Sequence, residues 1–233
     1  MSDKDSHKNR IAINKICSCI QFSGPNCVDF LNNLLISDLP SLSPNKYHYS
    51  ALCNPKGRII SSLWISISNN DHLMLICPTN MQQELLNFFN MRKFRLKIDL
   101  KATQDKIYLN SNSEIFIGDA NEDIADADTA KFYKTLFNLN LPWVDKENSE
   151  KFIPQHVNLD QHEGIMSFSK GCYPGQEIIA RMKFLGKIKK RMVVISAESE
   201  SALLALFKSK DQVSPIINGL ENYSVQVIQR FTE

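Results

Sequence analysis

Lys170-Gly171-Cys172-Tyr173-Pro174-Gly175-Gln176-Glu177 sets one cysteine between two glycines and beside an aromatic ring, just before a run, Ile178 to Met182, that is able to begin a helix. Glycine removes side-chain bulk and permits left-handed dihedrals, and Pro174-Gly175 suits the two central positions of a type II turn. Backbone near Cys172 is therefore expected to approach a ligand closely. Lys170 and Arg181 are near in sequence, and a helix N-terminus would add backbone N–H groups, so the local field is expected to favour thiolate over thiol. The competing reading is a tight turn whose cysteine is merely buried. Glu177 and Arg181, spaced i and i+4 with the acid first, would pair on a helix for a few tenths of a kcal/mol.

Outward from this segment, residues 141 to 177 form a long irregular stretch interrupted by Pro142 and Pro154, and long ordered loops often carry function. Before it, Ile16 to Phe22 reads as a strand, Ser23-Gly24-Pro25 as a turn, and Val28, Leu31, Leu34 and Leu35 as one apolar helix face. Residues 47–53 and 58–68 read as strands joined through the turn Asn54-Pro55-Lys56-Gly57, and 72–77 as a third strand. Thr79 with Gln82 makes a capping-box pattern ahead of a helix carrying Leu85, Leu86, Phe88 and Phe89. Arg95 to Lys101 alternates as a strand. Strands near 106–110 and 114–118, an acidic loop from Glu122 to Asp128, and a helix over 129–138 suggest a second such unit. Strands at Met192–Ser196 and Tyr223–Arg230 flank a short helix at 200–208. Strands interleaved with single helices predict an α+β architecture with helices on one face of an antiparallel sheet.

The 233 residues are 43% hydrophobic and 22% charged, with a formal net charge of +2. Those proportions are ordinary for a globular protein and give no global attraction to nucleic acid, so electrostatic partners must be read locally. The polar stretch Met1 to Arg10 lacks an apolar core, and no later window has the length of a membrane span. A cytoplasmic location without membrane contact is expected. Six cysteines without a Cys-x-x-Cys pair make a disulfide framework unexpected. Cys17 and Cys19 share a strand face and are read as core.

No Gly-x-Gly-x-x-Gly, P-loop or Gly-x-Ser-x-Gly occurs, which disfavours nucleotide binding and serine hydrolysis by those devices. His156 and His162 lie in the same segment as Cys172, but their spacing matches no metal or nucleophile pattern, and they are read as structural. Lys183, Lys187, Lys189, Lys190 and Arg191, with Phe184 interleaved, make a basic stretch suited to phosphates and base stacking, against which stands a solvated surface. Lys56-Gly57-Arg58 is a second basic turn in which Arg58 is suited to a carboxylate.

Together these pieces resemble the YgfZ family of folate-binding, aminomethyltransferase-like proteins, linked to iron–sulfur cluster assembly or repair. The resemblance is carried by Lys170-Gly171-Cys172-Tyr173, Gly175-Gln176-Glu177 and Ala180-Arg181. Supporting pieces are Asn54-Pro55-Lys56-Gly57-Arg58, Leu141-Pro142, Pro154-Gln155, Asn158-Leu159-Asp160 and Gly186, so that it covers roughly residues 15 to 191. It implies two ferredoxin-like α+β units and a C-terminal β domain around a central cleft for tetrahydrofolate, with Cys172 at the edge. Residues 11–48 and 105–186 would form the first, discontinuous unit and 49–104 the second, and 187–233 a shortened β-rich domain. Pro174 stands where threonine is commoner. Where aminomethyltransferases carry an Asp pair, this chain has Ser61-Ser62, and a hydroxyl cannot act as anion or base at neutral pH.

The resemblance thus implies a tetrahydrofolate-binding accessory protein of iron–sulfur cluster assembly or repair, with an indirect effect on tRNA modification. Cys172 is its working thiol and transient cluster ligand, Arg58 the contact for the folate carboxylate and Gln155 that for the pterin. Its partners would be cluster-assembly proteins or cluster-dependent enzymes. Two other readings stand beside it. One is a folate-dependent one-carbon transferase acting on RNA or protein and gripping it through Lys183 to Arg191. The other is a non-catalytic interaction scaffold.

Overall fold

The computed structural model describes residues 10–118, 129–219 and 222–231. The expected acidic loop from Glu122 to Asp128 therefore lies outside the described residues. A five-stranded antiparallel sheet is built from β2 (Cys17–Ser23), β3 (His48–Cys53), β4 (Ile59–Asn69), β5 (His72–Pro78) and β6 (Asp99–Thr103), in the order β3-β4-β5-β2-β6. Alternation along each strand sends side chains to opposite faces, and here both faces are buried. Ile20, Phe22, Leu63, Ile65, Leu75 and Phe89 belong to one core under helices α1 (Cys27–Asn32) and α2 (Gln82–Lys93). Cys17, Cys19, Tyr49, Trp64 and Ile76 face a second core.

The second core is closed by β7 (Lys106–Leu109) and by α3 (Thr129–Asn138), which buries Phe132, Tyr133 and Leu136. A small sheet of order β1-β7-β8 is made with β1 (Ile11–Ala12) and β8 (Ile115–Gly118). The last sheet, β10-β11-β9, pairs β9 (Lys190–Ala197) with β11 (Tyr223–Arg230) from Arg230↔Lys190 to Tyr223↔Ala197 and adds β10 (Ile217–Asn218) at one edge. Its own core comprises Leu203 from α5 (Glu200–Ala205) with Val225 and Val227. The α+β fold expected from sequence is the fold observed.

Several local expectations change. Thr79 and Gln82 do not cap α2: Ser18 donates to the Thr79 hydroxyl and Gln82 donates to the Cys19 carbonyl, so both tie the helix to β2. The apolar face of α1 ends at Asn32, and Leu35 instead bridges to Leu52. The strand expected from Arg95 begins only at Asp99, because the chain first turns over Phe94 and Arg95. The domain boundary drawn at residue 48 cuts through a sheet, since β2 lies between β5 and β6. Among the described residues of that N-terminal segment, β1 is the strand that pairs with β7.

Candidate functional site

The cysteine segment makes the predicted turn. Gln176 N–H donates to the Tyr173 carbonyl at 3.1 Å, and Gly175 has φ 81° and ψ 0°, the values of the second central position of a type II turn. Helix α4 (Gln176–Phe184) follows directly. A Cβ on Gly175 would stand 2.5 Å from the Asn54 carbonyl oxygen and 2.6 Å from Gly57 Cα. The close approach is therefore to the hairpin turn between β3 and β4. That turn is itself locked by Asn54, whose side-chain oxygen accepts from the N–H groups of Lys56 and Arg58. Gly171 sits in open space and requires no glycine on steric grounds.

Cys172 is exposed, whereas the other five cysteines are buried. Burial is also the main cause that pushes the thiols of Cys53 and Cys77 up, Cys19 to about 12 and Cys27 to about 11. A thiol buried in apolar surroundings resists ionisation, so thiolate chemistry with anything outside the fold falls to Cys172.

The cations expected to activate that thiol are committed elsewhere. Lys170 Nζ donates to the carbonyls of Asn32, Leu35 and Ser37 and lies 5.0 Å from the Tyr173 ring centre. It closes the C-terminal end of α1, where carbonyls lack helical partners, and burial lowers its pKa to about 8. Arg181 reaches Glu177 at 3.4 Å, the i, i+4 pair expected, with both side chains largely exposed. Buried Tyr173 donates to the Ser167 carbonyl at 3.3 Å.

Both residues assigned to folate bond backbone carbonyls of this chain. The Arg58 guanidinium donates to the carbonyls of Lys151 at 2.8 Å and Glu150 at 3.4 Å. Gln155 is fully buried, and its amide donates to the Ile179 carbonyl at 2.7 Å while its side-chain oxygen has no partner. Gln155 thus braces the turn at 154–157 against α4. His156 is held down to about 4 by burial first and then by Lys190, Arg58 and Arg191, so it is neutral near pH 7 and its charged neighbours do not include Cys172. His162 bonds the Asn140 carbonyl. Among the described residues, no group of three or more His, Cys, Asp and Glu is placed to hold a metal.

Arg191 leaves the basic stretch for an ion pair with Asp160, at 3.0 Å for its second nitrogen, and also donates to the Gln155 carbonyl. Lys183 lies 3.9 Å from the Phe168 ring centre. Phe184 and Leu185 remain exposed beside it.

Ser61 and Ser62 are both fully buried. The Ser62 hydroxyl lies 2.6 Å from the Tyr49 hydroxyl and accepts from Val144 N–H at 2.9 Å, while Tyr49 donates to the Pro142 carbonyl. Beside them Trp64 packs on Trp143 at 4.9 Å and edge-on against Tyr49 at 5.1 Å. Trp64, Tyr47 and Phe116 line a cavity of about 620 Å³ together with Lys46, His48 and Glu114. Cys172 is not among its lining residues. Sequence reading missed this cavity because its walls come from two sheets. The only local hint was the aromatic and polar alternation at Tyr47-His48-Tyr49.

The five-stranded antiparallel sheet between two cores, with two smaller sheets beside it, has the aminomethyltransferase fold. The structure superposes on the glycine cleavage system aminomethyltransferase T from Bartonella henselae with a TM-score of 0.57, covering 94% of this chain and 78% of that one at 13% identity. In sequence the chain is YgfZ-like. It is 28% identical to the tRNA-modifying protein YgfZ of Blochmanniella pennsylvanica, over 74% of this chain and 67% of that protein. It is 24% identical to the YgfZ of Photorhabdus laumondii, over 78% and 69% respectively. A shorter match to the YgfZ of Photobacterium profundum reaches 39% over 34% of this chain and 23% of that protein. No family model matches. No helix among the described residues is long and apolar enough to cross a membrane.

Proposed function

We propose that this chain is a cytoplasmic tetrahydrofolate-binding accessory protein of iron–sulfur cluster assembly or repair, acting indirectly on tRNA modification. The single observation that carries the folate part is the aromatic-walled cavity. Its volume lies within the range of small-molecule sites, about 300 to 1,000 Å³. The donor set suits the ligand: Trp64, Tyr47 and Phe116 offer surfaces to a pterin and a benzoyl ring. The Glu114 carboxylate can accept from the adjacent N–H groups of a 2-amino-4-oxo pterin, and Lys46 can meet a glutamate carboxylate. Bound folate would supply a one-carbon carrier or a reduced pterin. With Ser61 and Ser62 in place of a carboxylate pair and their hydroxyls engaged inside the fold, the serines do not move a proton from a ligand, and its orientation falls to the residues that line the cavity.

Cys172 carries the other half of the reading. As thiolate it can ligate a cluster iron, and one cysteine requires further ligands from a partner protein. Its exposure supports a handover between chains.

Calorimetric titration with tetrahydrofolate under anaerobic, reducing conditions tests the cavity. Micromolar binding weakened at least tenfold by Glu114→Gln and by Trp64→Leu is expected, with Arg58→Ala unchanged. No binding by the unaltered protein would remove the folate reading. Cys172→Ala should keep folate binding and lose support of cluster-dependent tRNA thiolation in cells, and full support by that variant would remove the thiol role.

A further inference from the structure

Helix α2 ends in a turn that the fold does not explain. Leu96 N–H donates to the Lys93 carbonyl at 2.8 Å, closing a four-residue turn over Phe94 and Arg95. Phe94 has φ 44° and ψ −104°, nearest to the first central position of a type II′ turn, where glycine is the rule. A bulky side chain at positive φ is strained, and the core gains nothing from this one, since Phe94 is 80% exposed. An outlier of this kind points toward function at the position that holds it.

The surroundings say what that function meets. Met91 and Leu96 are exposed on either side of Phe94. Arg92, Lys93, Arg95 and Lys97 fall within the same seven residues, and no carboxylate occurs in the sequence from residue 85 to residue 98. Arg92 lies over the Phe88 ring at 3.5 Å and Arg95 over Phe94 at 5.2 Å, so guanidinium planes and rings already alternate. The chain as a whole carries only +2, which makes the local concentration of cations distinct from the bulk.

We propose that the Met91–Lys97 turn is an RNA-docking surface, with Phe94 stacking on an unpaired base and Arg92, Arg95 and Lys97 meeting phosphates. Every base has a flat face, so one exposed ring serves without sequence preference, and the cations give a salt-dependent grip on the backbone. RNA is chosen among polyanions because the exposed ring suits a base and because the similar proteins are tRNA-modifying; direct contact here adds to the indirect link to tRNA proposed above, on whose tRNA part this inference rests. The surface itself owes nothing to the folate cavity.

The test is fluorescence anisotropy of an unmodified tRNA transcript with the full chain at rising salt. Arg92→Glu/Arg95→Glu and Phe94→Gly are measured alongside, each also titrated with tetrahydrofolate. The double charge reversal should weaken tRNA binding at least tenfold and reduce the slope of log affinity against log salt by about 1.4, two phosphates' worth. Phe94→Gly should weaken binding several-fold while raising Tm, a combination that a purely structural residue does not give. Tetrahydrofolate binding should be the same in all three proteins, and its absence from all three would sink the folate reading without touching this one. No tRNA binding at low salt, or equal affinity across the three proteins, overturns the proposal. Binding to phosphatidylserine vesicles that Phe94→Gly abolishes, with tRNA binding unchanged, overturns it in favour of a lipid surface.

Discussion

Two turns in this molecule treat glycine in opposite ways. At Tyr173–Gln176 the backbone needs positive φ and glycine supplies it at Gly175, with a second chain segment packed where a side chain would stand. At Lys93–Leu96 the backbone also adopts positive φ, yet Phe94 occupies the position and its ring projects from the surface. The first turn joins two parts of the fold, so its residue is set by close approach. The second joins α2 to an edge strand with little packed around it, so its residue is free to serve something outside the fold.

Substitutions can break that contrast, beginning with the largest effect. Gly175→Ala combines strain at positive φ with an overlap against Asn54 and Gly57 backbone that cannot move independently. It should cost about 3 kcal/mol in urea unfolding, and a cost near zero would mean that the two turns are not docked. Gly57→Ala meets only side-chain atoms of Ile178 and Ile179, at 3.3 Å, with φ 71°. Those side chains can give way, so the loss should be about 1 to 2 kcal/mol, mostly backbone strain. Phe94→Gly has the opposite sign, a gain of about 1 kcal/mol as relieved strain exceeds the added freedom of the unfolded chain. A loss there would show that the ring stabilises the fold after all. Gly171→Ala, in open space and without positive φ, should stay within about 0.5 kcal/mol of the parent. A larger effect on a Cys172-dependent assay than on stability would then place Gly171 at a partner's surface.

Much of the fold was legible because its signals are local. The alternation in 47–53 and 58–68, and the turn residues Asn54-Pro55-Lys56-Gly57 between them, located β3 and β4 to within about a residue. The i, i+4 pair of Glu177 and Arg181 formed as its spacing required. The failures share a cause, which is competition from partners distant in sequence. Thr79 and Gln82 had the pattern of a cap, but β2 offered Ser18 and the Cys19 carbonyl. Lys170 looked like an activator of its neighbour Cys172, but carbonyls at the end of α1, more than 130 residues earlier, took its ammonium. Arg58 and Gln155, assigned to a ligand by residue type, also bond carbonyls of the fold, contacts that their local sequence does not announce.

By itself the sequence determined the class of fold, the type II turn at Pro174-Gly175 and the identity of the one cysteine set among glycines, because dihedral preference and hydrophobic period act over a few residues. Only the tertiary structure decided which polar groups remain for chemistry. Burial favours pairing of donors with acceptors inside the molecule, and that pairing depends on which distant segments the packed sheets bring together. The same packing raised Trp64, Tyr47, Glu114 and Lys46 from unrelated strands and loops into one cavity.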